Sequence, residues 1–167
     1  MKKTWILIPF VALISFTTSL AQITSGTYRA MLNTLYKKNV PLISCEKASQ
    51  MTGALFLDAR AYGEFKVSHI PKARWVGYEE FTLDRVKGIA KNTPIVIYCS
   101  VGVRSERVGK KLLDAGFTDV QNLYGSLFEW VNQDYPIVDA SGKPTQKVHA
   151  YSRAWGVWLN KGEKVYE

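Results

Sequence analysis

The sequence predicts an α/β fold, a parallel sheet with helices on both faces. Strand-like and helix-like segments alternate four times between residues 54 and 133, joined by short turns. The strand-like segments are short, nearly continuous apolar runs such as "TPIVIYC" (93 to 99), the pattern of a strand covered on both sides. The chain has 167 residues and only two cysteines, Cys45 and Cys99, so one packed core rather than a disulfide scaffold must hold it together.

Taken in order, Lys2 and Lys3 precede an apolar run from Trp5 to Phe16, and Ser19-Leu20-Ala21 offers small residues for cleavage, so residues 1 to 21 read as a secretory signal peptide. The run is short for a membrane-spanning helix, and Gln22 rather than cysteine follows the cleavage point, which argues against a lipoprotein. The expected product is a 146-residue periplasmic or extracellular protein with no membrane contact after cleavage. "GTYRAMLNTLYKK" (26 to 38) spaces Tyr28, Met31, Leu32, Leu35 and Tyr36 as an amphipathic helix, which Pro41 breaks. Ser44 is the expected N-cap of a second helix running to about Met51, with Gly53 as its stop. A strand is predicted over 54 to 60, a brief helix before Pro71, a short strand over 73 to 78 and a helix over 79 to 90. The strand at 93 to 99 follows. A helix over 105 to 117 carries Val108, Leu112 and Leu113 on one face and stops at Gly116; a strand over 118 to 124 and a helix over 126 to 133 complete the series.

The formal charge of +8 falls to +6 without the leader. Its lysines are scattered among acids with no block of five, so it reads as solvated surface, and nucleic acid is not expected as a partner. The tail beyond Asp139 contains Tyr151, Trp155, Trp158 and Tyr166, too apolar for a free linker; it is expected to pack across the domain, with a partner-binding arm as the alternative.

The chemistry concentrates in "YCSVGVRS" (98 to 105). In open parallel sheets ligands gather where strand ends lead into helix N-termini, and Cys99 stands at such a junction. The backbone of Cys99, Ser100, Val101, Gly102, Val103 and Arg104 can curl its amides around one point, Gly102 permitting the turn, and the following helix adds its positive end. Those surroundings favour an anion and lower a thiol pKa. The alternative is a small buried hydrophobe at a strand end.

These residues also carry a family resemblance. "FLDAR" (56 to 60), "EF" and "SHIPKA" (68 to 73), "YCSVGVRS" and "AGFTDVQNLYGSLFEW" (115 to 130) together resemble the rhodanese-like sulfurtransferases over roughly Ser44 to Pro136. The resemblance implies a three-layer fold with a five-stranded parallel sheet flanked by helices. It divides the chain into a leader (1–21), an N-terminal helical segment (22–43), the rhodanese-like domain (44–136) and an aromatic extension packed on it (137–167). It further implies that Cys99 takes a sulfane sulfur from thiosulfate or another persulfide source and passes it, as a persulfide, to a thiol or cyanide-like acceptor or to a protein acceptor. Arg104 is then expected to orient the loop or hold the anionic donor, and Ser105 to cap the helix or join the anion-binding loop. Cysteine-dependent phosphatases of this fold place five residues between cysteine and arginine; here there are four, a cradle too small for phosphate. Ser100, Val101 and Val103 are neutral where thiosulfate-using members often carry basic residues, which argues against thiosulfate as the physiological donor. Ser68, Lys72 and Ser126 replace common glycines and read as surface-turn variation.

Asp58 and Arg60, at a strand end, are expected to brace the site as an ion pair rather than to react. His69 reads as a packed histidine, and His149 lacks companions at ligand spacing, so neither a metal nor another cofactor is expected. Cys45 is either an inert buried thiol or a resolving partner for Cys99. A binding module without catalysis and a thiol redox sensor remain the alternatives to an enzyme.

Overall fold

The computed structural model describes residues 25–166; the leader expected at 1–21 lies outside them. The chain order is α1 (Gly26–Leu35), β1 (Leu42–Ile43), α2 (Cys45–Gln50), β2 (Leu55–Asp58), α3 (Tyr62–Val67), β3 (Arg74–Trp75), a 3-10 turn (Leu83–Val86), β4 (Ile95–Tyr98), α4 (Val103–Asp114), β5 (Val120–Leu123), α5 (Ser126–Asn132), β6 (Lys147–His149), α6 (Arg153–Gly156) and β7 (Glu163–Val165). Five strands form one parallel sheet in the order β1-β5-β4-β2-β3, flanked by helices on both faces. β6 and β7 pair separately, also in parallel.

β4 is the centre of the sheet, and all four of its residues are buried. Successive side chains of a strand point to opposite faces, and the two apolar clusters divide accordingly. Val96 and Tyr98 join Tyr28, Leu32, Leu127 and Phe128 on the face of α1 and α5. Ile95 and Ile97 join Leu57, Val108, Leu112 and Phe117 on the face of α4. Because every strand is parallel, the carboxyl ends of β2, β4 and β5 share one edge, and the loops that follow them converge there.

Three helices begin on a serine cap: Ser25 accepts from the Tyr28 amide, Ser44 from Lys47 and Ser152 from Trp155. The helix expected to reach Lys38 ends at Leu35, because Tyr36 is extended and Lys38 adopts a left-handed φ of 58°. The helix expected over 79 to 90 is reduced to the 3-10 turn. Phe81 and Val86 are both buried from an irregular path, Thr82 is extended, and Gly88 turns the chain at φ 83°. The edge strand β1 was hidden by its length: two residues after Pro41, held to β5 through Asn122 N–H donating to Pro41 O at 2.7 Å.

The tail returns over the domain. Val138 bridges His69, while Val148, Ala150 and Leu159 are buried in the α1 face cluster. Trp158 stacks on Tyr28 with centroids 5.4 Å apart, and Asn132 of α5 donates to Trp158 O and accepts from Asn160 N. Among the described residues no helix is long and apolar enough to cross a membrane.

Candidate active site

Cys99 follows the last residue of β4, and the chain then reverses through Ser100 and Val101 into Gly102, the N-cap of α4. Gly102 has φ 106°, a conformation L side chains resist, and a Cβ there would lie 2.0 Å from Tyr36 Oη. That conformation turns its amide back to donate to Cys99 Sγ at 3.0 Å. The helix expected to begin near Arg104 or Ser105 therefore starts at Val103, so the Ser105 amide lies in its unpaired first turn.

The ends of the loop are anchored by the turn after β5. Leu127 N–H donates to Cys99 O and Phe128 N–H to Ser100 O, both at 3.1 Å. Cys99 N–H donates to Ser126 Oγ at 3.1 Å. Ser126 is fully buried at φ 54°, so it is a structural support of the cysteine rather than surface-turn variation. Ser68 is likewise buried, and its carbonyl accepts from Arg60 Nη2 at 2.6 Å. Lys72, at φ 63°, does occupy a turn conformation that suits glycine.

Arg104 leans over the loop. Its Nη1 donates to Glu64 Oε2 at 2.7 Å, and its Nη2 to Glu64 Oε1 at 2.8 Å and to Ser100 Oγ at 3.0 Å. Burial pushes the Glu64 carboxyl up, but these bonds and the Arg104 charge outweigh it and hold it below the ordinary carboxylate range. Burial also opposes ionisation of Cys99. The Arg104 charge and the donors of Ser105 and Gly102 overcome it, so the thiol titrates below its ordinary value. The Ser105 hydroxyl has a single proton, which goes to Asn122 Oδ1 at 2.7 Å; the donors left for a thiolate are the two backbone amides and the Arg104 side chain. Asn122 in turn donates to Gly102 O at 3.0 Å, which fixes the turn.

Cys99 is only 1% exposed, yet it lines a cavity of about 190 Å³. Ser100, Val101, Val103 and Arg104 of the loop share that cavity with Leu35, Tyr151 and Trp155. Asp58 and Arg60 form a wholly buried pair at 2.6 Å that does not line it; Arg60 Nη1 has no hydrogen-bond partner. Cys45 and Cys99 are both free thiols. Cys45 Sγ faces Tyr124 O at 3.9 Å, and burial with the nearby Glu129 charge pushes its thiol well above the ordinary range, so it stays protonated. His69 is packed as expected, its Nδ1 3.0 Å from Phe65 O and its ring stacked on Phe65. Among the described residues no group of three or more His, Cys, Asp or Glu is placed to hold a metal ion.

Sequence reasoning overlooked Glu64, Tyr36, Ser126, Leu35, Tyr151 and Trp155. Glu64 lay inside the quoted motif but reads as an ordinary helix-surface acid. Tyr36 and Leu35 read as core positions of a helix, and nothing local points the tail residues toward position 99.

A central parallel sheet with a cysteine at a strand end, its sulfur facing helix N-terminal amides, defines an α/β protein of the cysteine-loop type. The model of the rhodanese-like domain matches residues 44–133, and the chain belongs to that family. Rhodanese-like domain-containing protein 17 of Arabidopsis thaliana is 31% identical over 99 residues, which is 52% of this chain and 64% of that protein. A sulfurtransferase of Allochromatium vinosum is 29% identical over 97 residues, 58% of this chain and 90% of the relative. Among solved structures, the BH2092 protein of Bacillus halodurans superposes with a TM-score of 0.55 at 20% identity, covering 70% of this chain and 88% of that one, a likeness of fold.

Two measurements test this geometry. Thiolate absorbance of the Cys45→Ala protein is expected to titrate below a free thiol, and Arg104→Gln to move the titration upward; an unchanged curve would remove Arg104 from the account. Since folding lowers this pKa, ionisation of Cys99 adds stability above the unfolded-state pKa, and that stability is lost as pH falls through the folded-state value. Ser126→Ala leaves the buried Cys99 amide without its acceptor and keeps the left-handed backbone, costing about 1–3 kcal/mol in urea unfolding. Ser126→Gly loses the same acceptor but relieves about 1 kcal/mol of backbone strain, so it should be the more stable of the two.

Proposed function

We propose that this chain is a sulfurtransferase that carries a sulfane sulfur as a persulfide on Cys99. The observation that carries the reading is the Cys99 sulfur itself, facing the Gly102 amide at 3.0 Å and held below its ordinary pKa, in a residue that lines an open cavity. In the first half-reaction the thiolate attacks the outer sulfur of the donor. The bond from that sulfur to the rest of the donor breaks, and its electron pair leaves with the remaining fragment, sulfite in the case of thiosulfate. The product, a persulfide anion, keeps its negative charge beside the same amides and Arg104. In the second, a thiol or cyanide-like acceptor, or a protein thiol, attacks the outer sulfur and returns the Cys99 thiolate. Arg104 serves by charge and by holding the loop against Glu64, while Asp58 and Arg60 support the sheet edge from below.

The family match and the sulfurtransferase relative support this reading. The redox alternative is less well supported, because Cys45 is buried, protonated and occupied by Tyr124 O.

Incubation with a sulfane donor is expected to add one sulfur, about 32 Da, to Cys99. Cyanide should remove the added mass, and Cys99→Ser should not acquire it; an unmodified wild-type protein with every donor class would end the proposal. We further propose that the chain acts after export, on the strength of Lys2, Lys3 and the apolar run that follows. Mass spectrometry of protein expressed at full length in a bacterium should find Gln22 as the mature N-terminus, and an intact leader in exported protein would contradict it.

A further inference from the structure

Three of the side chains that wall the Cys99 cavity come from outside the matched domain. Leu35 ends α1, and Tyr151 and Trp155 belong to the tail. With Val101 and Val103 they make much of the lining apolar, while its charged and donating groups, Arg104 and the loop amides, lie near the sulfur. The site therefore has two parts: a pole for an anion at the thiol and an apolar chamber beside it. Dry apolar cavities of about 150 Å³ hold benzene, so the 190 Å³ here accepts a ring-sized body. A small inorganic dianion would use only the pole and leave the chamber to water.

Tyr151 shows that the wall is built rather than incidental. It is 52% exposed and holds a left-handed φ of 65°, unfavourable for an aromatic residue, yet its position is fixed at two points. Its amide donates to His149 Nδ1 at 3.1 Å, and the Arg104 guanidinium carbon lies 5.0 Å from its ring centroid. Trp155 is set beside it by the Ser152 cap.

We infer that this protein selects organic sulfane donors, in which an anionic head bearing the sulfane sulfur is attached to an apolar, ring-sized body, with Leu35, Tyr151 and Trp155 as the residues that determine the choice. The inference rests on the persulfide reading of Cys99. An arenethiosulfonate has this form. The Cys99 thiolate bonds to its outer sulfur, the bond between that sulfur and the sulfonyl sulfur breaks, and the arenesulfinate leaves with the electron pair; two negative charges enter and two remain.

The test compares benzenethiosulfonate with methanethiosulfonate, which share a head and differ in the apolar body, with cyanide as acceptor and persulfide formation followed by mass. The wild-type kcat/KM ratio of the two donors is expected to exceed their rate ratio with free cysteine by about tenfold, within the range a small apolar contact supplies. Trp155→Ala and Tyr151→Ala should each lower that ratio at least threefold. Tyr151 is exposed enough that its truncation spares the fold should Trp155→Ala fail to express. Persulfide formed from both donors at the free-cysteine ratio, or a ratio unmoved in both variants, overturns the selectivity and leaves the sulfurtransferase intact. Absence of the persulfide with every donor overturns both.

Discussion

The turn at Gly102 is the constraint on which the site depends. Its amide reaches Cys99 Sγ only because the residue sits at φ 106°, and the space a Cβ would need is taken by Tyr36 Oη. That hydroxyl is itself committed on two sides, donating to Val101 O at 2.6 Å and accepting from Gly125 N at 3.2 Å. The residue after α1 is thereby a floor for the cysteine loop, and the turn after β5 is tied to the same atom. A close approach of three chain segments replaces what a longer loop would need to achieve by its own packing, and it leaves the amides nowhere to point but at the sulfur.

Charge is arranged around that turn with equal economy. From Asp58 through Arg60, Glu64 and Arg104 to the Cys99 sulfur, each group lies close enough to shift the ionisation of the next, and the signs alternate. Burying a single ion of this series would be costly; burying them as neighbours that share hydrogen bonds offsets much of the desolvation. The two pairs are not equivalent. Asp58 and Arg60 are both 0% exposed and brace the sheet edge, whereas Arg104 keeps 20% of its side chain in solvent at the cavity wall. Glu64 neutralises part of the Arg104 charge while fixing the guanidinium plane. The uncharged amides, which attract no counter-ion, must then carry a real share of the work on the thiol.

How much of this was legible in the sequence follows from the range of each interaction. The α/β order could be read because "ALFLDAR" and "TPIVIYC" are apolar runs of strand length, and the cysteine loop because a thiol, a glycine and an arginine fall within six residues. Local chemistry also located Ser44 as a cap. The 79 to 90 segment failed because Phe81 and Val86 are buried at a separation that only an irregular path allows. Ser126 failed for another reason: a serine in place of glycine looks like turn variation until its hydroxyl is seen accepting from Cys99, 27 positions away in sequence. Tyr36 to Val101 and Glu64 to Arg104 span 65 and 40 positions, beyond any periodicity or capping rule. The backbone scaffold of the site is written locally; its walls and supports are set by tertiary contact.

A thiol walled by hydrocarbon on every side is inert, and Cys99 is nearly completely buried. Two features of this structure separate it from that case. Cys45 supplies the contrast within the same molecule: it too is 1% exposed, but it faces a carbonyl oxygen and a nearby carboxylate, and its thiol is driven up. Cys99 faces amides and a guanidinium, and its thiol is driven down against the same desolvation. Cys99 also lines an open cavity. Under the persulfide reading proposed above, a sulfur bonded to Sγ would stand about 2 Å from it, so the atom an acceptor must reach is not the buried one. On that reading the depth of the thiol protects the bond beneath, and the length of one S–S bond separates the buried anchor from the atom to be transferred.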